Sequence, residues 1–284
     1  MQKKILKLGQ YRLDLSKKTL IMGVLNVTPD SFSDGGRYPS TRAACERALE
    51  MESEGADIID IGGESTRPGS LAVPAEEEIK RVLPVLKGLK GKLRIPVSVD
   101  TKKSKVAEAV LKEGAAIIND VSGLRADKNI ASLCAKYSAG LVIMHMKGNP
   151  RTMQKRPYYK DLLKEIKLFL KKSIDIAVTG GVQKNKIIID PGIGFGKTLQ
   201  HNLSLLKGIQ FFRSIGFPVL IGLSRKSFMG KLLGLDLQDR LIPTACANAI
   251  SVYNGADIIR AHDIKEAVIT AKIAEAVAGY KTKR

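Results

Sequence analysis

At 284 residues with 44% hydrophobic side chains, the chain can bury one large core, and a barrel-type domain of this length is ordinary. No apolar run reaches membrane-spanning length. The basic N-terminal stretch alternates apolar and polar residues where a signal peptide would carry an unbroken apolar centre, so the expectation is a cytoplasmic protein with no membrane partner. The net charge of +19 admits nucleic acid or a polyanionic ligand, but Lys and Arg are spread over most helical segments and aromatics are only 5%. We read the excess as solvated helix faces, with a minority setting a positive field for a phosphorylated ligand. Cys45, Cys134 and Cys246 lie far apart with no CxxC, which suits buried thiols better than a metal site.

Residues Ile5–Leu15 alternate around Gly9-Gln10, a hairpin signal, placed as a lid over one end of the domain. The apolar run Leu20–Leu25 reads as a strand that stops at Asn26 and opens into a loop rich in Gly, Pro, Asp and Ser, VTPDSFSDGG. A helix is predicted over Arg42–Glu54, a strand over Asp57–Ile61, and a helix over Pro74–Leu89 with an acidic first turn. Strands at Pro96–Asp100 and Ala115–Asn119 flank a helix at Ser104–Lys112, and a short helix at Ile130–Tyr137 precedes the strand Leu141–His145. Then come a helix at Tyr159–Val178, a strand at Lys186–Asp190, a helix at Leu203–Ile215 and a strand at Pro218–Leu223. Helices near Phe228–Leu233 and Pro243–Tyr253, the strand Asp257–Arg260 and the helix Ile264–Ala278 complete the chain.

These segments make eight strand–helix units with short apolar strands, the pattern of parallel strands covered on both sides. The expectation is an α/β fold, a (β/α)8 TIM barrel with a short N-terminal β-hairpin. One domain would span 1–284, with the hairpin in 1–18 and the barrel over about 19–280. An open doubly wound sheet has the same alternation and is the structural alternative. A weak repeat supports the barrel: EGADIID at Glu54, EGAAIIND at Glu113 and NGADIIR at Asn254 each join a helix end to a strand through a glycine C-cap.

The strand ends carry Asn26, Asp60, Asp100, Asn119, His145, Asp190, Ser224 with Lys226, and Arg260 with His262. One such residue is commonly a turn former; a polar group at every strand end describes a ligand-filled mouth. Asp100 and Asp190 suit donors on a neutral heterocycle or a developing cation. Arg67, Lys226, Arg260 and His262 suit phosphate oxygens, and Asn26 with Asp34 offers hard oxygens for a Mg2+ shared with a diphosphate. The loop DPGIGFGK at Asp190–Lys197 lacks P-loop spacing, which argues against an NTPase; its glycines let the backbone approach a flat ring.

With these residues in view, the chain resembles the dihydropteroate synthase family. GVLNVTPDSFSDGG, DIGGESTRPGS, VSVDT, IINDVSG, IMHMKGNPRTMQ, IIIDPGIGFGKT, GLSRKSFMG and IIRAHD follow in family order from about Leu20 to Lys265. The resemblance implies a folate-pathway transferase that condenses p-aminobenzoate with 6-hydroxymethyl-7,8-dihydropterin diphosphate, giving 7,8-dihydropteroate and diphosphate. Matched by motif, Asp100, Asn119, Asp190, Phe195 and Lys226 would bind the pterin, and Asn26 would meet the Mg2+. Arg67, Arg260 and His262 would hold the diphosphate, while Thr66, Pro68, Phe32 and Ser227 would line the p-aminobenzoate site where sulfonamides compete. The resemblance also implies a homodimer.

The residue chemistry fits that role, because nothing in the sequence looks like an activated nucleophile held by a base. The carbon–diphosphate bond can break first, with the cation delocalised into the dihydropterin. Asp100, Lys226 and Arg260 are then the candidate catalytic residues, Asp100 as the carboxylate facing the cation. A weakly basic aniline nitrogen needs no strong general base. The alternatives are another pterin-binding barrel, such as a methyltetrahydrofolate methyltransferase, which has no reason to keep the cationic STRPGS and SRKS loops, and a nucleic-acid-binding protein, suggested by charge alone.

Overall fold

Short β-branched runs bounded by glycine or a polar turn become parallel strands, and the amphipathic segments between them become the helices that cover them. The computed structural model describes residues 5–28, 41–66 and 69–279. An antiparallel hairpin, β1 (Ile5–Leu8) and β2 (Tyr11–Asp14), comes first. The barrel strands are β3 (Leu20–Asn26), β4 (Ile58–Gly62), β5 (Val97–Asp100), β6 (Ile117–Asp120), β7 (Gly140–Met144), β8 (Ile187–Asp190), β9 (Leu220–Gly222) and β10 (Ile258–Ala261). From β3 to β8 each barrel strand pairs in parallel with the next, β10 pairs in parallel with both β9 and β3, and a parallel bridge from Ile189 to Val219 links β8 to the start of β9. That closure distinguishes a barrel from an open doubly wound sheet.

The helices are α1 (Thr41–Glu54), α2 (Ala75–Leu89), α3 (Ser104–Lys112), α4 (Asn129–Lys136), α5 (Leu162–Thr179), α6 (Leu199–Lys207), α7 (Ile209–Arg213), α8 (Ser227–Leu233), α9 (Leu241–Tyr253) and α10 (Ile264–Val277). Two boundaries differ from the sequence reading for identifiable reasons. Helix α5 starts three residues later than Tyr159 because the Asp161 carboxylate caps it, accepting from Lys164 N, while the Tyr159 hydroxyl donates to Gly196 O in another loop. The expected helix Leu203–Ile215 begins earlier, at the Thr198 cap, and breaks at Gly208 into α6 and α7.

The repeat acquires a structural meaning. Its glycines, Gly55, Gly114 and Gly255, all take left-handed φ values of 106°, 102° and 94°, which end the preceding helices. In two copies the next polar residue tethers a neighbouring strand: Asp57 Oδ2 accepts from Ile21 N at 3.0 Å, and Asp257 Oδ2 accepts from Val219 N at 2.9 Å. The third copy has Ala116 there, and Ala116 belongs to the apolar cluster sealed by the hairpin. A carboxylate at that position would be desolvated.

Side chains alternate across a strand, so residues two apart share the inward face. Ile58, Ile117, Ile188 and Ile258 pack with Leu6, Leu8 and Leu15 of the hairpin segment into one buried cluster that plugs the N-terminal end of the barrel. Two residues further along each of those strands stand Asp60, Asn119, Asp190 and Arg260. The interior therefore changes from aliphatic to charged within one inward step. The outward faces, including Ile59, Ile118, Ile189 and Ile259, form a second cluster with the helices.

Candidate active site at the mouth of the barrel

The inward step from isoleucine to polar residue builds the floor of the mouth. Asp60, fully buried on β4, accepts from Asn119 Nδ2 at 2.9 Å and from Arg260 Nε at 2.6 Å. Arg260 Nη2 also donates to Asp100 Oδ2 at 3.2 Å. One guanidinium thus bridges two carboxylates from β4 and β5. The Asp100 carboxyl is pushed up to about 8, chiefly by burial; Arg260 opposes the shift and Asp60 adds to it.

The opposite wall comes from the Asp190–Lys197 turn. Asp190 Oδ1 accepts from Gly192 N at 2.7 Å, and burial pushes its carboxyl up to about 6 against that bond and the nearby Lys226, Lys197 and Arg260 charges. Lys226 Nζ stands 4.1 Å from the centre of the Phe195 ring, a cation–π contact. Burial pulls the Lys226 ammonium down to about 8, helped by Arg260 and opposed by Asp190 and Asp100. The Lys226 loop is braced by its neighbour Arg225, whose Nη2 and Nε meet the two Asp263 oxygens at 2.7 and 3.2 Å and whose N–H donates to Thr244. Arg225 takes a left-handed φ of 54°, strain held by this fork.

His262 joins the β9 and β10 ends, its Nδ1 lying 2.8 Å from Ser224 Oγ. Ser227 is exposed at the start of α8, and Asn26 is half-buried at the end of β3. Half-buried Thr66 lines a small cavity together with Asp100, Thr101 and Lys102, which ties the loop after β4 to the carboxylate on β5. Phe32, Arg67 and Pro68 lie outside the described residues.

Structure and sequence reading differ at one strand end. His145 does not face the mouth. It is one residue past Met144 on the outward side, packed edge-on against Phe169 at 4.7 Å, and burial with the Lys197 charge depresses its imidazole to about 2. Arg260, expected on the diphosphate, is engaged with Asp60 and Asp100. Sequence reasoning missed the roles of Asp60, Arg225 and Lys197. The signal for Asp60 was available, since Ile-x-Asp on β4 has the same spacing as Ile-x-Asn on β6 and Ile-x-Asp on β8.

The family pattern for pterin binding enzymes matches residues 22–262. A dihydropteroate synthase from Synechocystis sp. is 42% identical over 273 residues, covering 96% of this chain and 94% of that one. The chain belongs to the dihydropteroate synthase family. Among solved structures, the Yersinia pestis dihydropteroate synthase with a sulfonamide drug complex superposes with a TM-score of 0.91 at 42% identity, covering 98% of this chain and 100% of that chain. The Xanthomonas albilineans dihydropteroate synthase with 4-aminobenzoic acid superposes with a TM-score of 0.91 at 39% identity, covering 98% and 99%. Both are dihydropteroate synthases whose match runs over the hairpin, the barrel and the mouth alike.

Proposed function

We propose that this chain is a dihydropteroate synthase, condensing 6-hydroxymethyl-7,8-dihydropterin diphosphate with p-aminobenzoate to give 7,8-dihydropteroate and diphosphate. The observation that carries the reading is the convergence of Asp100, Asn119, Asp190, Lys226 and Arg260 in one mouth within a chain of this family. Asp190, Asn119 and Asp100 present acceptors for the pterin's N–H groups, Lys226 presents a donor, and Phe195 offers an apolar face. Thr66, Ser227, Phe32 and Pro68 would line the p-aminobenzoate side, and sulfonamides would compete there. His262, Arg67 and Arg260 would take the diphosphate.

In the reaction the bond from the exocyclic carbon to the diphosphate oxygen breaks, the electron pair leaving with the diphosphate. The aniline nitrogen then bonds to that carbon and releases a proton. A developing cation beside Asp100 favours the ionised carboxyl, so the raised free-site value falls as the transition state forms. Arg260, held by Asp60, keeps the Asp100 carboxylate oriented toward that cation.

Asn26 would hold Mg2+. Its Oδ1 lies over Gly62, where a β-carbon would come within 3.3 Å, so the glycine keeps space beside the amide oxygen. The described residues contain no group of three or more His, Cys, Asp and Glu set to hold a metal. One neutral hard oxygen fits an ion that arrives with most of its ligands supplied by phosphate and water, and that ion would neutralise charge on the leaving diphosphate.

A homodimer is part of the proposal. Ile242, Ile250 and Tyr253 on α9, and Ile269, Ile273 and Val277 on α10, are exposed at helical spacing on two helices packed against each other. Such a stripe suits a second copy of the chain. Light scattering should report a dimer, and Ile273→Glu should shift it to monomer. The described residues contain no helix long and apolar enough to cross a membrane. The catalytic unit is proposed to be one domain working in the cytoplasm. The direct test of function is Mg2+-dependent dihydropteroate formation that requires both substrates.

A further inference from the structure

Lys197 ends the glycine-rich turn after β8, where a P-loop lysine would meet phosphate, yet it is buried, with only 3% of its surface exposed. Its Nζ donates to Gly192 O at 2.7 Å and to Phe195 O at 2.8 Å, lies 3.1 Å from His145 Nδ1, and reaches His145 O at 3.4 Å. The amino group is spent inside the protein, and burial pulls its basicity well below that of an ordinary lysine. Its partners are the two carbonyls that define the turn and the residue after β7 against which the turn packs.

The turn needs such a pin. Gly192, Gly194 and Gly196 take left-handed φ values of 69°, 85° and 65°, which glycine alone adopts without strain. A β-carbon at Gly192 would fall 1.9 Å from His145 O, and one at Gly196 would fall 2.5 Å from Lys147 O. Backbone is pressed against backbone with no side chain between, so buried carbonyls must find a donor from elsewhere. Lys197 supplies a donor to Phe195 O and a second one to Gly192 O. The turn has other ties: Gly194 N donates to Asn202 Oδ1, Gln154 Nε2 to Gly194 O and the Tyr159 hydroxyl to Gly196 O, while Phe195 N donates to Gly192 O at 3.1 Å and so shares that carbonyl with Lys197.

We infer that Lys197 is a positioning residue for pterin recognition, holding the Gly192–Phe195 turn so that Asp190 and Lys226 face the pterin in fixed geometry. The route is short on both sides. Gly192, pinned through its carbonyl, donates its N–H to Asp190 Oδ1 and fixes that carboxylate. Phe195, pinned through its carbonyl, presents the ring that carries Lys226 Nζ. Lys197 touches neither substrate nor reacting atoms, so it acts through these neighbours. The inference rests on the proposed function, and it names a residue that the site reading leaves without a role.

The test is Lys197→Met, which keeps length and burial and removes the donors. Pterin lacking the diphosphate is titrated by calorimetry into wild type and variant, and Michaelis constants are measured for both substrates. The expected result is about tenfold weaker pterin binding and a matching rise in the Michaelis constant for pterin diphosphate, comparable to losing one or two well-placed hydrogen bonds. The p-aminobenzoate constant should stay within about twofold, and amide exchange at Gly192 to Phe195 should quicken without ligand. Lys197→Gln, which restores one donor, should recover part of the loss. Wild-type protein that binds no pterin would sink the proposed function instead. If wild type binds pterin and Lys197→Met binds it equally well, or if both substrate constants worsen together, the positioning role is wrong. If neither variant folds, Lys197 is a folding residue and the inference is likewise overturned.

Discussion

Arg260 Nη2 donates to Asp100 Oδ2 at 3.2 Å while the same guanidinium holds Asp60 through Nε, so the carboxylate meant to face a cation shares its counter-ion with a second buried acid. Burial raises the Asp100 carboxyl to about 8; the shared Arg260 opposes that shift and the Asp60 charge adds to it. The ordinary carboxyl value near 4 holds in the unfolded chain, so between about pH 4 and pH 8 the folded state keeps a proton that the unfolded state has lost. Stability from this group therefore falls as pH rises through that window. In Asp100→Asn the melting temperature relative to wild type should climb steadily from pH 5 to pH 8. A difference that moves the other way would mean an ionised Asp100 stabilised by Arg260.

The same substitution separates binding from chemistry. An interaction realised mainly in the transition state should slow single turnover about a hundredfold, with a smaller change in the dissociation constant for pterin diphosphate. Equal losses in affinity and overall efficiency, with the single-turnover rate unchanged, would make Asp100 a binding residue alone.

Pterin affinity should depend on pH between two limbs. Below about 6 Asp190 takes up a proton and loses acceptor capacity, and above about 8 Lys226 loses the charge it donates from. Binding should be tightest between these values. Asp190→Asn should flatten the acid limb, and Lys226→Met should flatten the part of the alkaline limb that Asp100 does not supply. Each should weaken maximal affinity about ten- to a hundredfold while leaving the melting temperature within a few degrees. A large loss of stability in either would make it a structural ion partner.

The opposite end of the barrel should behave independently. Leu8 is fully buried in the plug. Leu8→Ala should cost about 3 kcal/mol, seen as a fall of roughly 6 °C in melting temperature, with the turnover number unchanged within about twofold. A drop in turnover at temperatures well below melting would mean that the plug shapes the mouth.

Much of this architecture was legible in the residue pattern. The strand ends at Asp100, Asn119, Asp190 and Arg260 could be read directly, because a short apolar run that stops at one polar residue marks a buried strand reaching a polar cavity. The glycine of the GAD repeat marked the helix-to-strand joint, and its left-handed φ follows from that role. The inward or outward sense of a residue beyond a strand end was not legible, because it depends on where the strand stops. His145 reads as a mouth residue until β7 ends at Met144 and turns it outward. Nor was the partner of Arg260: a guanidinium attracts phosphate and carboxylate alike, and only the fold brings Asp60 within 2.6 Å. Lys197 was hidden for a related reason, since a lysine closing a glycine-rich loop looks solvent-facing until the turn wraps its carbonyls around it.

Asn26 gives a test of the metal assignment. Asn26→Ala should weaken Mg2+-dependent binding of pterin diphosphate about tenfold and leave binding of the pterin without diphosphate unchanged within about twofold, because its oxygen is assigned to the ion and not the ring. Equal losses for both ligands in calorimetry would contradict that placement.

The most direct measurement is product formation by the purified chain with Mg2+, 6-hydroxymethyl-7,8-dihydropterin diphosphate and p-aminobenzoate. The account predicts 7,8-dihydropteroate and diphosphate in equal amounts, abolished by omitting either substrate and inhibited by a sulfonamide in competition with p-aminobenzoate. Diphosphate released at the same rate without p-aminobenzoate, or no dihydropteroate from folded protein that binds the pterin, would contradict it.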